Sequence, residues 1–139
     1  MKEKPILVDH KVDTKLVIMS TWIAMMFLYV YCDYFGLCRP GGISSMMDGK
    51  MGPFDVSQLG LFLAGLLMVI PSLMILVSAL ATARIDRIVN LAASTIYFMV
   101  NIGNLLGESW AYYYLFGLLE LGLVVFIFLK SLRWPRQGA

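Results

Sequence analysis

The sequence predicts an all-α membrane protein, a four-transmembrane-helix bundle with both termini cytoplasmic, on three observations. The 139 residues are 60% hydrophobic and only 14% charged, with a mean hydropathy of +0.79, which is too apolar for a soluble domain of this length. Four stretches, 16–37, 57–81, 88–106 and 112–130, each supply the roughly 20 apolar residues that a hydrocarbon core of about 30 Å requires. Nine basic residues (Lys2, Lys4, Lys11, Lys15, Arg84, Arg87, Lys130, Arg133 and Arg136) fall on one side of these spans, against Arg39 and Lys50 on the other. That bias assigns the richer side to the cytoplasm, and an even number of crossings agrees with it. The net charge of +2 follows from this topology and gives no reason to expect a nucleic-acid partner.

The N-terminal segment, Met1 to Thr14, mixes charges with Pro5, His10 and an Ile6-Leu7-Val8 patch. It reads as a cytoplasmic surface segment, with His10 solvated. Span 1 is too long for a cleaved signal peptide and ends in no small-x-small pattern. Its far end, from Tyr29 through Tyr31, Cys32, Asp33 and Tyr34, is aromatic, as an interfacial belt would be. Cys32 and Cys38 would lie about 9 Å apart on a continuing helix, beyond disulfide reach unless Gly36 or the turn before Pro40 brings them together, and read as small apolar fillers. The outer loop, 38–56, is rich in Gly and Pro, while Ile43 to Met47 is apolar enough for a short interfacial helix. The loop reads as a tether, a lid, a re-entrant piece or an oligomer contact.

Asp55 three residues before Gln58 resembles a capping box and predicts that span 2 starts near Val56. Gln58, Gly65, Ser72 and Ala79 then recur every seven residues, a seam of small residues suited to close helix packing. Pro71 removes one backbone bond from this span, leaving a carbonyl that a neighbour must satisfy. Arg84 to Arg87 reads as a tight cytoplasmic turn. Span 3 carries the main polar signal: Arg87, Asn90, Ser94, Tyr97, Asn101, Asn104 and Glu108 follow at steps of 3, 4, 3, 4, 3 and 4. From Asn90 onward these positions fall within roughly 40° of one direction, while Leu91, Ile96, Phe98, Val100 and Leu106 point elsewhere. Span 4 opens on Tyr112-Tyr113-Tyr114 and places Glu120 near the bilayer midplane, where an ionised acid is expensive.

Packed together, these helices predict an outward-facing intramembrane polar pocket lined by Asp33, Tyr97, Asn101, Asn104, Tyr113 and Glu120, with Tyr29 on the same face as Asp33. Asn and Tyr offer donors and acceptors to an uncharged or cationic solute, and a midplane carboxyl can load and release a proton. The inner part of the stripe, Asn90 and Ser94, is accounted for by hydrogen bonding between helices. No nucleophile elbow, metal-binding His pattern or Gly-rich phosphate loop is present, so no catalytic residue, metal or cofactor is expected.

The segments Lys11-Val12-Asp13-Thr14-Lys15, Thr21-Trp22-Ile23, Tyr29-Val30-Tyr31-Cys32-Asp33 and Ile70-Pro71 resemble a family of small bacterial four-span membrane proteins defined only as a domain of unknown function. The resemblance spans nearly the whole chain, implies a multi-pass protein of the bacterial inner membrane, and carries no activity or site. In general architecture the chain is also similar to the DoxX-like group, an analogy of fold that says nothing about function.

The expected function is binding or conduction of a small solute or ion, with or without coupling to a proton. Four short helices enclose little space, so a homo-oligomer is expected, with membrane lipids as the other partners. The alternative is a non-catalytic assembly subunit whose polar stripe docks partner helices. A third reading is a lipid-modifying enzyme using Glu120 and Asp33 as acid and base.

Overall fold

The structure is a computed structural model that describes residues 10–52 and 54–135. Lys2, Lys4, Pro5, the Ile6-Leu7-Val8 patch and Arg136 lie outside the described residues. The fold is almost wholly helical: α1 (Thr14–Leu37), a short α2 (Gly42–Met47), a minimal hairpin of β1 (Lys50–Met51) and β2 (Phe54–Asp55), then α3 (Gln58–Leu80), α4 (Ala83–Leu105) and α5 (Ala111–Leu132). Helices α1, α3, α4 and α5 are each long and apolar enough to cross a membrane.

Local chemistry sets the helix ends. Asp13 caps α1 by accepting the Lys15 N–H at 2.8 Å. Ser57, not the expected Asp55, caps α3 by accepting the Gly60 N–H at 3.0 Å; Asp55 is engaged in the hairpin, where it pairs with Lys50. Only Ala81 and Thr82, both extended, separate α3 from α4. The expected turn at Arg84 to Arg87 is therefore the first turn of α4, and the helix starts five residues earlier than the apolar run suggested. Gly107, at φ 80°, reverses the chain after α4 in a conformation that disfavours any Cβ. Ile43 to Met47 lies within α2, whose Ile43, Met46 and Met47 are exposed.

Helix α1 packs along α3 and α5, and α4 packs chiefly along α5. The α4–α5 approach is close because Gly117 has no side chain: a Cβ there would sit 2.5 Å from Leu105 Cδ2. The core is built from Ile18, Trp22, Met25 and Tyr29 of α1, Met74 of α3, Ala93 and Tyr97 of α4, and Val124 and Ile127 of α5. Trp22 and Tyr97 meet edge to face across its centre, with ring centroids 5.8 Å apart.

Helix α3, the most apolar of the four, is the least buried. Its seam of Gln58, Gly65, Ser72 and Ala79, read as suited to close helix packing, is exposed along its whole length in the single chain. The buried side of α3 carries Pro71, Met74 and Ser78 instead.

Candidate functional site

The polar stripe of α4 faces into the bundle. Asp86, Asn90, Ser94, Tyr97 and Asn101 are all buried, while Ile96, Phe98 and Leu106 on its other sides are exposed. The stripe from Asp86 to Asn101 is thus enclosed by the chain's own helices, while Asn104 further along it is exposed. The enclosed residues divide into two polar layers separated by the Trp22–Tyr97 contact.

The layer nearer the basic end, which bears Lys15, Arg84 and Arg87, centres on Asn90. Trp22 donates its indole N–H to Asn90 Oδ1 at 2.7 Å. Asn90 Nδ2 donates to Ser78 Oγ at 3.1 Å and to Asp86 Oδ1 at 2.5 Å. One side chain thereby ties α1, α3 and α4 together, and Asp86 is fully buried with its Oδ2 unpartnered. Placing Arg84 to Arg87 in a turn hid Asp86. Its signal was the i, i+4 spacing to Asn90, which carries the buried face one turn back from Asn90. Two cations close this end: Lys15 donates to the Ala81 carbonyl that terminates α3, and Arg87 Nε donates to the Ser131 carbonyl at 3.1 Å, both at helix C-termini, where positive charge is favoured.

Tyr97, expected in the pocket, turns its hydroxyl to the Leu67 carbonyl. Leu67 lies four residues before Pro71, so this is the carbonyl that the proline leaves without a donor. The carbonyl expected to need a neighbour finds it in α4.

Beyond Tyr97, towards the end that carries the 38–57 loop, lies the second layer. Tyr29 donates its hydroxyl to Asn101 Oδ1 at 2.6 Å. The α4–α5 register, bounded by Arg87 with Ser131 at one end and Leu105 against Gly117 at the other, sets Asn101 level with Glu120. Glu120 is 5% exposed and lies within electrostatic range of Tyr29. Two buried atoms of opposite character have no partner in this layer: the Asn101 Nδ2 donor and the Glu120 Oε1 acceptor. Groups that water cannot reach are nearly always paired, so this donor and acceptor define the candidate site.

The remaining pocket residues are placed around it differently. Tyr113 is half-buried above the layer, and Asp33 is exposed on the adjoining edge of α1, within electrostatic range of Glu120. Asn104, on the α4 face that buries Asn101, is exposed. The structure thus gathers Asn101 and Glu120 with Tyr29, keeps Tyr113 and Asp33 at their margin, and assigns Tyr97 to the proline. Cys32 is a buried free thiol one turn above Tyr29, and Cys38 an exposed one.

Over this end lies a charged clamp that the sequence did not announce. Arg39 forms a two-pronged ion pair with Glu108, at 3.2 Å and 2.9 Å, and donates Nε to the Tyr112 hydroxyl at 2.6 Å. Its guanidinium carbon stands 5.4, 5.0 and 5.4 Å from the ring centroids of Trp110, Tyr112 and Tyr113. Glu108 also accepts the N–H groups of Ser109 and Trp110. Burial raises the Glu108 carboxyl, but these hydrogen bonds and the Arg39 charge outweigh it and hold the group below the usual carboxylate range.

A family model of unknown function, DUF6326, matches residues 6–139. The chain belongs to the DUF6326 family. Comparison with curated proteins and with solved structures returned no match. Membership in DUF6326 covers the four membrane-type helices and both polar layers, and it brings no activity with it.

Proposed function

We propose that this DUF6326 protein binds a small polar or cationic solute, coupled to a proton, at the intramembrane site formed by Glu120, Asn101 and Tyr29. In this reading the basic end faces the cytoplasm, which the nine-to-two division of Lys and Arg supports, and the site opens towards the outer face of a bacterial inner membrane. Supporting this reading is the pair of unpartnered buried atoms, Asn101 Nδ2 and Glu120 Oε1. Asp86 Oδ2 is also unpartnered, but its carboxyl is held by Asn90 through Oδ1, whereas no side-chain hydrogen bond to Glu120 is found among the described residues.

In this reading Asn101 is oriented by Tyr29, which occupies its carbonyl oxygen and leaves both amide hydrogens for a ligand. Glu120 exchanges a proton for the solute, and exposed Asp33 at the rim passes protons between it and the surface. Tyr113, half-buried above, completes the wall. One bundle encloses little volume, so the conducting unit is an oligomer whose copies meet along the exposed seam of α3.

Proteoliposomes carrying a pH-sensitive dye test the site directly. Under an imposed gradient of each of a panel of small cations and neutral polar solutes, proton movement is expected with at least one, and Glu120→Gln should abolish it. Flux that survives in Glu120→Gln, or a wild-type protein silent across the panel, overturns the proposal.

A further inference from the structure

At the basic end of the bundle a hollow of about 390 Å³ opens between the first turn of α4 and the residues following α5, lined by Ala83, Arg84, Arg87, Ile88, Trp134 and Pro135. It is separate from the Glu120 layer, which lies on the far side of the Trp22–Tyr97 contact. Two guanidinium groups share it. Arg87 is half-buried and oriented by the bond from its Nε to the Ser131 carbonyl, which leaves its two terminal nitrogens without a partner among the described residues. Arg84 has no hydrogen bond or ion pair among the described residues either, and the nearby carboxylate, Asp86, is buried and turned to Asn90. Two arginines line one half-open space, and neither has an ion-pair partner among the described residues. Planar guanidinium groups match tetrahedral oxyanions through paired N–H donors. The other walls are apolar: Ile88, Trp134 and Pro135.

We propose that this hollow binds a phosphate group, carried either by an anionic membrane lipid or by a soluble phosphate, with Arg84 and Arg87 on the phosphate oxygens and Trp134 and Ile88 against the apolar remainder. Its place at the end of the membrane-crossing helices sets it at headgroup depth, where Trp and Arg are favoured.

The full-length protein in a neutral detergent can be titrated with phosphatidylglycerol, with phosphatidylcholine and with inorganic phosphate, reading binding by native mass spectrometry and by Trp fluorescence. Phosphatidylglycerol should bind in preference to phosphatidylcholine. Exposed Arg84 can be changed without disturbing the core, and Arg84→Gln should weaken binding about tenfold or more, the scale of one charge-assisted hydrogen bond. Arg133→Gln, a basic change at the same end but outside the hollow, should leave it within about twofold. Binding of phosphatidylglycerol alone assigns a lipid phosphate, and equal Arg84-dependent binding of inorganic phosphate assigns a soluble one. No binding of either, or equal losses in Arg84→Gln and Arg133→Gln, overturns the site.

Discussion

Tyr97 and Asn101 are one turn apart on the same face of α4, yet their polar atoms do different work. The Tyr97 hydroxyl fills the vacancy that Pro71 creates at Leu67, so the two residues form a coupled pair across α3 and α4. Tyr97→Phe should destabilise the protein by about 1–3 kcal/mol, the cost of stranding a buried acceptor. Pro71→Ala returns an N–H to Leu67, so it should recover much of that loss when combined with Tyr97→Phe. Thermal unfolding of the four proteins in detergent measures the coupling; strictly additive effects would show that Tyr97 does not serve the proline. At Asn101 the leucine variant should strand the Tyr29 hydroxyl and lower stability, whereas Asn104→Leu, at an exposed position, should stay within about 0.5 kcal/mol of wild type.

Glycine separates the helix faces that approach from those that do not. Gly117 lies against Leu105, and Gly65 has no atom within 4 Å of where its Cβ would stand. Gly117→Leu should push α5 away from α4, lowering the unfolding temperature by several degrees and disturbing the level of Glu120 against Asn101. Gly65→Leu should leave the folded chain unaffected, because it adds apolar surface to a face already exposed. Between helices in lipid there is little hydrophobic drive, and each interhelical hydrogen bond contributes only about 0.6 kcal/mol. The close α4–α5 approach therefore matters more here than it would in a soluble bundle.

The Arg39–Glu108 clamp acts on the whole molecule, since it ties the connection between α1 and α2 to the connection between α4 and α5 over the end where the candidate site lies. Its pH dependence has a definite sign. The Glu108 carboxyl is held below its ordinary range in the folded state, so its contribution is fully present above the unfolded-state value. That contribution is lost as pH falls through the folded one. Glu108→Gln should cost about 1 kcal/mol near neutral pH, a scale typical of a partly exposed pair, and the gap from wild type should close in acid. Unfolding temperatures of both proteins across the acid range check this; a gap that widens on acidification would remove the clamp from the account.

Four apolar spans, the inward polar face of α4, the proline's need for a donor and the buried acid of α5 were all legible in the residues, because length, hydropathy and helical period are local properties of the chain. Periodicity said that Asn101 and Tyr97 share a face, but which atom each side chain meets depends on α1, α3 and α5. Only the packed structure sends Tyr97 to Leu67, joins Tyr29 to Asn101 and sets Glu120 level with them. The same limit hid Asp86, whose burial requires that α4 begin at Ala83 and lie under Trp22 and Ser78, and it hid Arg39, whose partners stand about seventy residues away in sequence. The sequence by itself determined that the chain forms four membrane-type helices with polar groups turned from lipid. The tertiary structure decided which of those groups satisfy one another and which, Asn101 Nδ2 and Glu120 Oε1 among them, are left without a partner, because hydrogen-bond partners are chosen by helix register and depth rather than by residue type.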